Sequence, residues 1–193
     1  MSNKFFYDIC FTYISFVYVM INSIQIGNRG VFMDEFELII NDINKNKEFL
    51  KLKNIKHHGI TRYDHCFRVS YYTYLITKKL NLNYISATRA ALLHDFFTSE
   101  VENEGSVKRL RKHPSIAVEN AKKYFEINDL EEDIIKKHMF PVTIIPPKYL
   151  ESWIVDIIDD ISAIYERGKT TQVLLKTVST FVLLFITSYI QYR

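Results

Sequence analysis

From about Met33 to Gly168, apolar residues recur at three- and four-residue intervals, the period of helices with one buried face. Thr61-Arg62-Tyr63-Asp64 reads as a capping box, and the helix it opens places Val69, Tyr72 and Ile76 on the face of His65. A second helix is expected from about Asn83 to His94. Its stripe of Ala87, Ala90, Ala91 and His94 lets a partner helix come close. Thr98 to Arg111 is polar and reads as a loop. His113-Pro114 then opens a helix, since proline suits a first helical position. Asp129 and Glu132 are expected to cap the next helix, which gathers Ile134, Ile135 and His138 and stops at Pro141. After Pro146-Pro147, a last helix from about Tyr149 to Arg167 carries Val155, Ile158, Asp159 and Ser162 on one side, with Gly168 as its stop. No segment shows a strand's alternation and there is no internal repeat, so the pattern predicts an all-α bundle.

Two apolar stretches flank this domain. In residues 1–32 the only charge between Phe5 and Ile26 is Asp8, a span long enough to cross a bilayer, which needs roughly 20 apolar residues. Three readings stay open: a membrane anchor, an extension ahead of a natural start at Met33, or a packed helix. In residues 169–193 the segment Val173 to Ile190 carries one charge, Lys176, and reads as a short span or as an amphipathic helix packed on the domain or a partner. Were both ends to span, Arg29, Arg167, Lys169 and Lys176 would leave the middle domain in the cytoplasm. The expectation is a cytoplasmic domain, with membrane association through its ends left open.

Composition narrows the function classes. The 193 residues hold 25 Lys+Arg and 22 Asp+Glu, a net charge of +3 that argues against a specific nucleic-acid partner. Cys10 and Cys66 form no CxxC pair or disulfide framework, which fits a reduced compartment. Cys66 reads as a buried helix thiol, and Trp153 and the many tyrosines as core. The excess of Ile, Asn, Lys, Phe and Tyr over Ala fits an AT-rich genome and carries no chemistry.

The chemistry lies in a set of inward-facing polar residues. His65, His94, His113 and His138 fall one each on four successive helices, Asp95 follows His94, and Asp159 interrupts an apolar face. A buried carboxylate is costly unless paired or metal-bound. Imidazoles and carboxylates converging together suit one or two divalent ions (Mn, Fe, Zn, Co or Mg). Each residue taken alone has a plainer reading, as a core histidine, a helix start or a helix-end dipole partner; the shared inward placement argues for a common cation. Arg62, Arg109, Arg111 and Lys112 are the candidate phosphate donors, Arg62 lying three residues before His65. His57-His58 reads as an exposed pair. Asp64 and Asp156 are candidate partners for ring nitrogens not on a metal.

The ordered run His65, His94-Asp95, Asp159 resembles the HD superfamily of metal-dependent phosphohydrolases, and His113-Pro114 and His138 resemble members that hold two metals. The local text is similar to a group of bacterial HD-domain proteins: Ala91-Leu92-Leu93-His94-Asp95-Phe96, Arg111-Lys112-His113-Pro114, Lys137-His138-Met139-Phe140-Pro141, and the lead-in to Asp159 from Pro146. The resemblance covers about Leu50 to Glu166. It implies an all-α, HD-domain-like helical bundle at 33–168, here with apolar N- and C-terminal helical extensions. It further implies His65, His94, Asp95 and Asp159 on one metal and His113 and His138 on a second, with Asp95 as bridge. The implied activity is hydrolysis of a nucleotide or other small phosphate ester, with Asp95 and Arg62 as catalytic residues. Asp160 departs from the pattern, in which a lysine or another non-acidic residue is expected; helix phase still favours Asp159 over Asp156 and Asp160. Two alternatives stand: a di-iron oxygenase on the same fold, and a non-catalytic metal-containing sensing module.

Overall fold

The computed structural model describes residues 29–57, 60–98 and 106–166. Both apolar flanks, apart from the start of the first helix, lie outside the described residues, as do the side chains of His57 and His58. Seven α-helices are present among the described residues: α1 (Arg29–Lys45), α2 (Lys47–Leu50), α3 (Arg62–Lys79), α4 (Tyr84–Leu93), α5 (Ser106–Tyr124), α6 (Asp129–Lys137) and α7 (Leu150–Glu166). The all-α expectation holds. The one addition is a two-residue antiparallel pairing of β1 (Lys56–His57) with β2 (Ile60–Thr61), too short to leave an alternating pattern. No described helix is long and apolar enough to cross a membrane.

Helix α4 lies at the centre, packed against α1, α3, α6 and α7. Ala87, Ala90 and Ala91 are fully buried, and the small stripe lets α3 approach closely enough for the Ser70 hydroxyl to donate to the Thr88 carbonyl at 2.8 Å. The reversal between α3 and α4 is set by Asn81, whose φ of 53° is left-handed, and by Leu82 N–H returning to the Thr77 carbonyl at 3.0 Å. Helix α1 covers α3 and α4 with Phe36, Ile40 and Ile43, all buried at the i, i+4, i+7 spacing. Arg89 clamps α1 to α4 through both oxygens of Asp42, at 2.6 and 2.8 Å.

Several local expectations shift. Thr61 caps α3 as expected, accepting from Asp64 N–H at 3.1 Å, but Asp64 returns to the Thr61 hydroxyl rather than to an imidazole. Val69 and Ile76 are buried with His65, whereas Tyr72 is only half-buried; the inner face turns toward Thr73, Tyr74 and Thr77 because α3 packs on both α1 and α4. The cap of α6 is one residue earlier than Asp129 and Glu132: Asn128 and Glu131 form the reciprocal box. The largest correction is α5. His113-Pro114 does not open it; the helix begins at Ser106, and Pro114 lies in its interior. The apolar stripe through Pro114, Ala117, Val118 and Ala121 is buried, and that packing outweighs the hydrogen bond proline forfeits. Trp153 is 37% exposed rather than core, its ring edge against Phe140 at 5.2 Å.

Candidate metal centre

Two of the four histidines are placed by the same device. His94 and His138 are the C-terminal caps of α4 and α6, where the last turn leaves carbonyls without helical partners. Each imidazole turns its Nδ1 back onto one of them: His94 to Ala91 at 2.7 Å, His138 to Ile135 at 2.8 Å. His113, in the third turn of α5, does likewise with Arg109 at 3.0 Å. A carbonyl only accepts, so these three rings carry a proton on Nδ1 and turn Nε2 toward the cluster. His65 stands near the start of α3 and instead meets the carboxylate of Glu166, Nδ1 to Oε2 at 2.8 Å.

The Nε2 atoms and two carboxylates then converge. His65 Nε2 lies 2.8 Å from Asp159 Oδ1 and His94 Nε2 lies 3.6 Å from the same atom. His113 and His138 Nε2 lie 3.2 and 3.7 Å from Asp95 Oδ1, and 2.9 Å from each other. Three groups have ligand atoms within 4.8 Å of one another: His65, His94 and Asp95; His94, His138 and Asp159; Asp95, His113 and His138. They overlap at His94, Asp95 and His138, so all six residues singled out from sequence form one continuous cluster. Asp159 is buried and Asp160 exposed, as helix phase requires.

The cluster's charges are tightly coupled. Burial opposes a charged His65, but its bonds to Asp159 and Glu166 outweigh that and push its pKa up to about 10. His94 is likewise raised, with burial outweighed by Asp159 and Asp95. His138 goes the other way: burial, with His94 and His113 as neighbours, brings it down to about 3. Burial disfavours the ionised forms of Asp95 and Asp159, yet the facing imidazoles hold both carboxyls well below the usual range.

The residues fit a divalent cation on the structure's own terms. His94 Nε2 and Asp95 Oδ1 are buried and have no hydrogen-bond partner of acceptable geometry. His113 and His138 aim Nε2 at Nε2 across 2.9 Å while both donate from Nδ1, an arrangement that is repulsive without a proton or cation between them. One or two cations held among the three ligand groups would satisfy these atoms.

The expected phosphate donors are placed less uniformly. Arg62 is buried; its Nη1 donates to the Phe97 carbonyl at 2.6 Å and its guanidinium lies 3.8 Å from the centre of the Phe97 ring. Phe97 in turn lies against His113 at 5.0 Å, so Arg62 reaches the cluster through Phe97. Arg109, Arg111 and Lys112 are on the exposed side of α5. Arg111 lines a groove of about 400 Å³ with Pro114, Lys136, Thr143 and Ile144, beside His113 and His138 in the chain. Cys66 is buried, as expected, and burial raises its thiol well above its ordinary value.

Glu166 is the site residue that sequence reading missed. The available signal was its spacing of seven from Asp159, two turns along the same face. Asp156, a candidate partner for a ring nitrogen, does not take that role at His65: it is buried, and Oδ1 has no hydrogen-bond partner. Burial, then the charges of Asp160 and Asp159, push its pKa up to about 8. The folded state therefore keeps a proton that the unfolded chain releases near 3.8, and stability falls as pH climbs from about 3.8 to about 8. Asp156→Asn is expected to be neutral at pH 4. By pH 8 it should stabilise the chelator-treated protein by about 2 kcal/mol, a figure reduced for partial solvent access, and raise Tm by roughly 4–8 °C. A Tm gain independent of pH in thermal melts would refute this account.

A family model described as HD domain matches residues 62–164, over half the chain. The chain belongs to the HD-domain superfamily, which it joins by fold and by a His/Asp cluster able to hold metal ions. No curated protein and no solved structure matches the chain.

Proposed function

We propose that the protein is a metal-dependent phosphohydrolase acting on a nucleotide or another small phosphate ester. The observation that carries this reading is the continuous cluster of four imidazoles and two carboxylates in which His94 Nε2 and Asp95 Oδ1 are buried without hydrogen-bond partners. His65, His94, Asp95 and Asp159 would hold one ion, and His113 and His138 a second shared with Asp95. When bound, a divalent ion supplies a water acidified to a pKa of roughly 7 and a positive charge for the phosphoryl oxygens.

The chain's own residues do the rest. The carbonyls of Ala91, Arg109 and Ile135 fix three imidazoles with Nε2 forward, so no reorientation is needed as charge develops. Asp95, held ionised by the surrounding rings, carries negative charge into the centre and offers two oxygens. Arg109, Arg111 and Lys112 offer cations for the substrate's phosphate on the helix that carries His113, and the groove beside Arg111 offers room for the non-reacting part of the substrate.

The test is elemental analysis of the purified chain, removal of metal with a chelator, reloading with Mn, Co, Mg, Zn or Fe, and a phosphate-release screen over nucleotides and phosphoesters. One or two metals per chain and chelator-sensitive phosphate release are expected. Two irons with oxygen consumption and no phosphate release would make it an oxygenase. Full metal loading with no turnover would make it a sensing module.

A further inference from the structure

Three of the four cluster histidines anchor Nδ1 on a carbonyl of their own helix, three or four residues upstream. His65 makes a different contact. It is the fourth residue of α3, and its Nδ1 turns away from the carbonyls of its own first turn. Its acceptor comes from 101 residues away, Glu166 at the end of α7, at 2.8 Å.

Glu166 is built for that contact. Its side chain is 1% exposed although it closes the helix, and its other oxygen is held by Arg68, one turn along α3 from His65. Asp159 and Glu166, two turns apart on α7, thus grip the two nitrogens of one imidazole, at 2.8 Å each. A carboxylate acceptor also makes the opposite nitrogen a stronger ligand than a carbonyl would. Glu166 lies two residues beyond residue 164, where the family match ends.

We propose that Glu166 is a positioning residue that locks the His65 ring with Nδ1–H outward and Nε2 toward the cluster, setting the affinity of the His65 side of the centre for a divalent ion. The affinity part rests on the metal reading above; the orientation of the ring does not.

The experiment uses the full chain with Glu166→Gln and Glu166→Ala, Co²⁺ as the probe in competition with a chromophoric chelator, and proton NMR of imidazole N–H signals in the metal-free protein. The His65 ring N–H signals are assigned by their loss in His65→Asn, and Nδ1–H is told from Nε2–H by the couplings of its nitrogen to the carbon-bound ring protons. In the parent the Nδ1 proton is expected to be slowly exchanging and far downfield. Glu166→Gln keeps the acceptor shape without the charge, so it should move the signal upfield; Glu166→Ala should abolish it. Co²⁺ affinity should fall about 10- to 100-fold in Glu166→Ala and less in Glu166→Gln. An unprotected Nδ1–H in the parent, or a Co²⁺ affinity within twofold of the parent's in both variants, overturns the proposal. A parent that binds no Co²⁺ but keeps the protected proton refutes its affinity part and the metal reading, leaving the orienting role intact. Should Glu166→Ala fail to fold, the near-isosteric Glu166→Gln decides alone, by the signal shift and the Co²⁺ titration.

Discussion

Asp95→Ala is expected to eliminate phosphate release and to weaken divalent-metal binding by more than about 100-fold, beyond the loss typical of an orienting residue. Asp95 is a member of two of the three ligand groups and the only carboxylate within 4 Å of His113 and His138 among the described contacts. Its removal takes away one ligand atom and the negative charge that faces three buried imidazoles. Asp95 follows His94, the C-terminal cap of α4, and so lies outside the helix itself; helix content by circular dichroism should be largely kept. Asp95→Asn separates the two contributions: it retains the shape and one oxygen but not the charge, and should lose most of the activity as well. Activity within tenfold of the parent in Asp95→Ala, measured at saturating metal, would remove Asp95 from the site.

Phe36→Ala should produce the largest loss of stability. Phe36 is fully buried in α1, ahead of the family-matched segment, with its ring 5.3 Å from both Phe67 and Tyr71 in edge-on contact and 5.7 Å from Tyr74. Deleting such a ring leaves a cavity under two helices and forfeits the aromatic pairs, a cost of about 3–5 kcal/mol. For a chain of this size that lowers Tm by on the order of 10 °C, checked by thermal or urea unfolding. Metal binding well below the new Tm should survive, since α1 supplies none of the six cluster residues. A shift under 2 °C would mean that α1 is not part of the cooperative unit.

The parts legible from sequence share one feature: each is a local pattern on a single helix. The alanine stripe ending in His94-Asp95 could be read because small residues and a ligand pair recur at helical spacing, and the structure buries every one of them. Asp159 could be told from Asp160 by phase, since one is buried and the other exposed. Pro114 misled because an isolated helix would break there, whereas burial of the stripe on either side holds α5 together. Asp156 misled because its place beside Asp159 suggested a partner for a ring nitrogen; Glu166, two turns from Asp159, takes that role at His65.

The sequence by itself determined the helical class, the approximate bounds of α4 and α7 and the identity of the six converging residues, because amphipathic period and capping chemistry act over a few residues. Only the tertiary structure decided what those residues touch. That His113 and His138 meet Nε2 to Nε2 at 2.9 Å, that Arg62 is turned onto Phe97, and that Glu166 holds His65 depend on the packing of helices tens of residues apart. Ring orientation and long-range partners are set by how whole helices pack, and no short stretch of sequence encodes that.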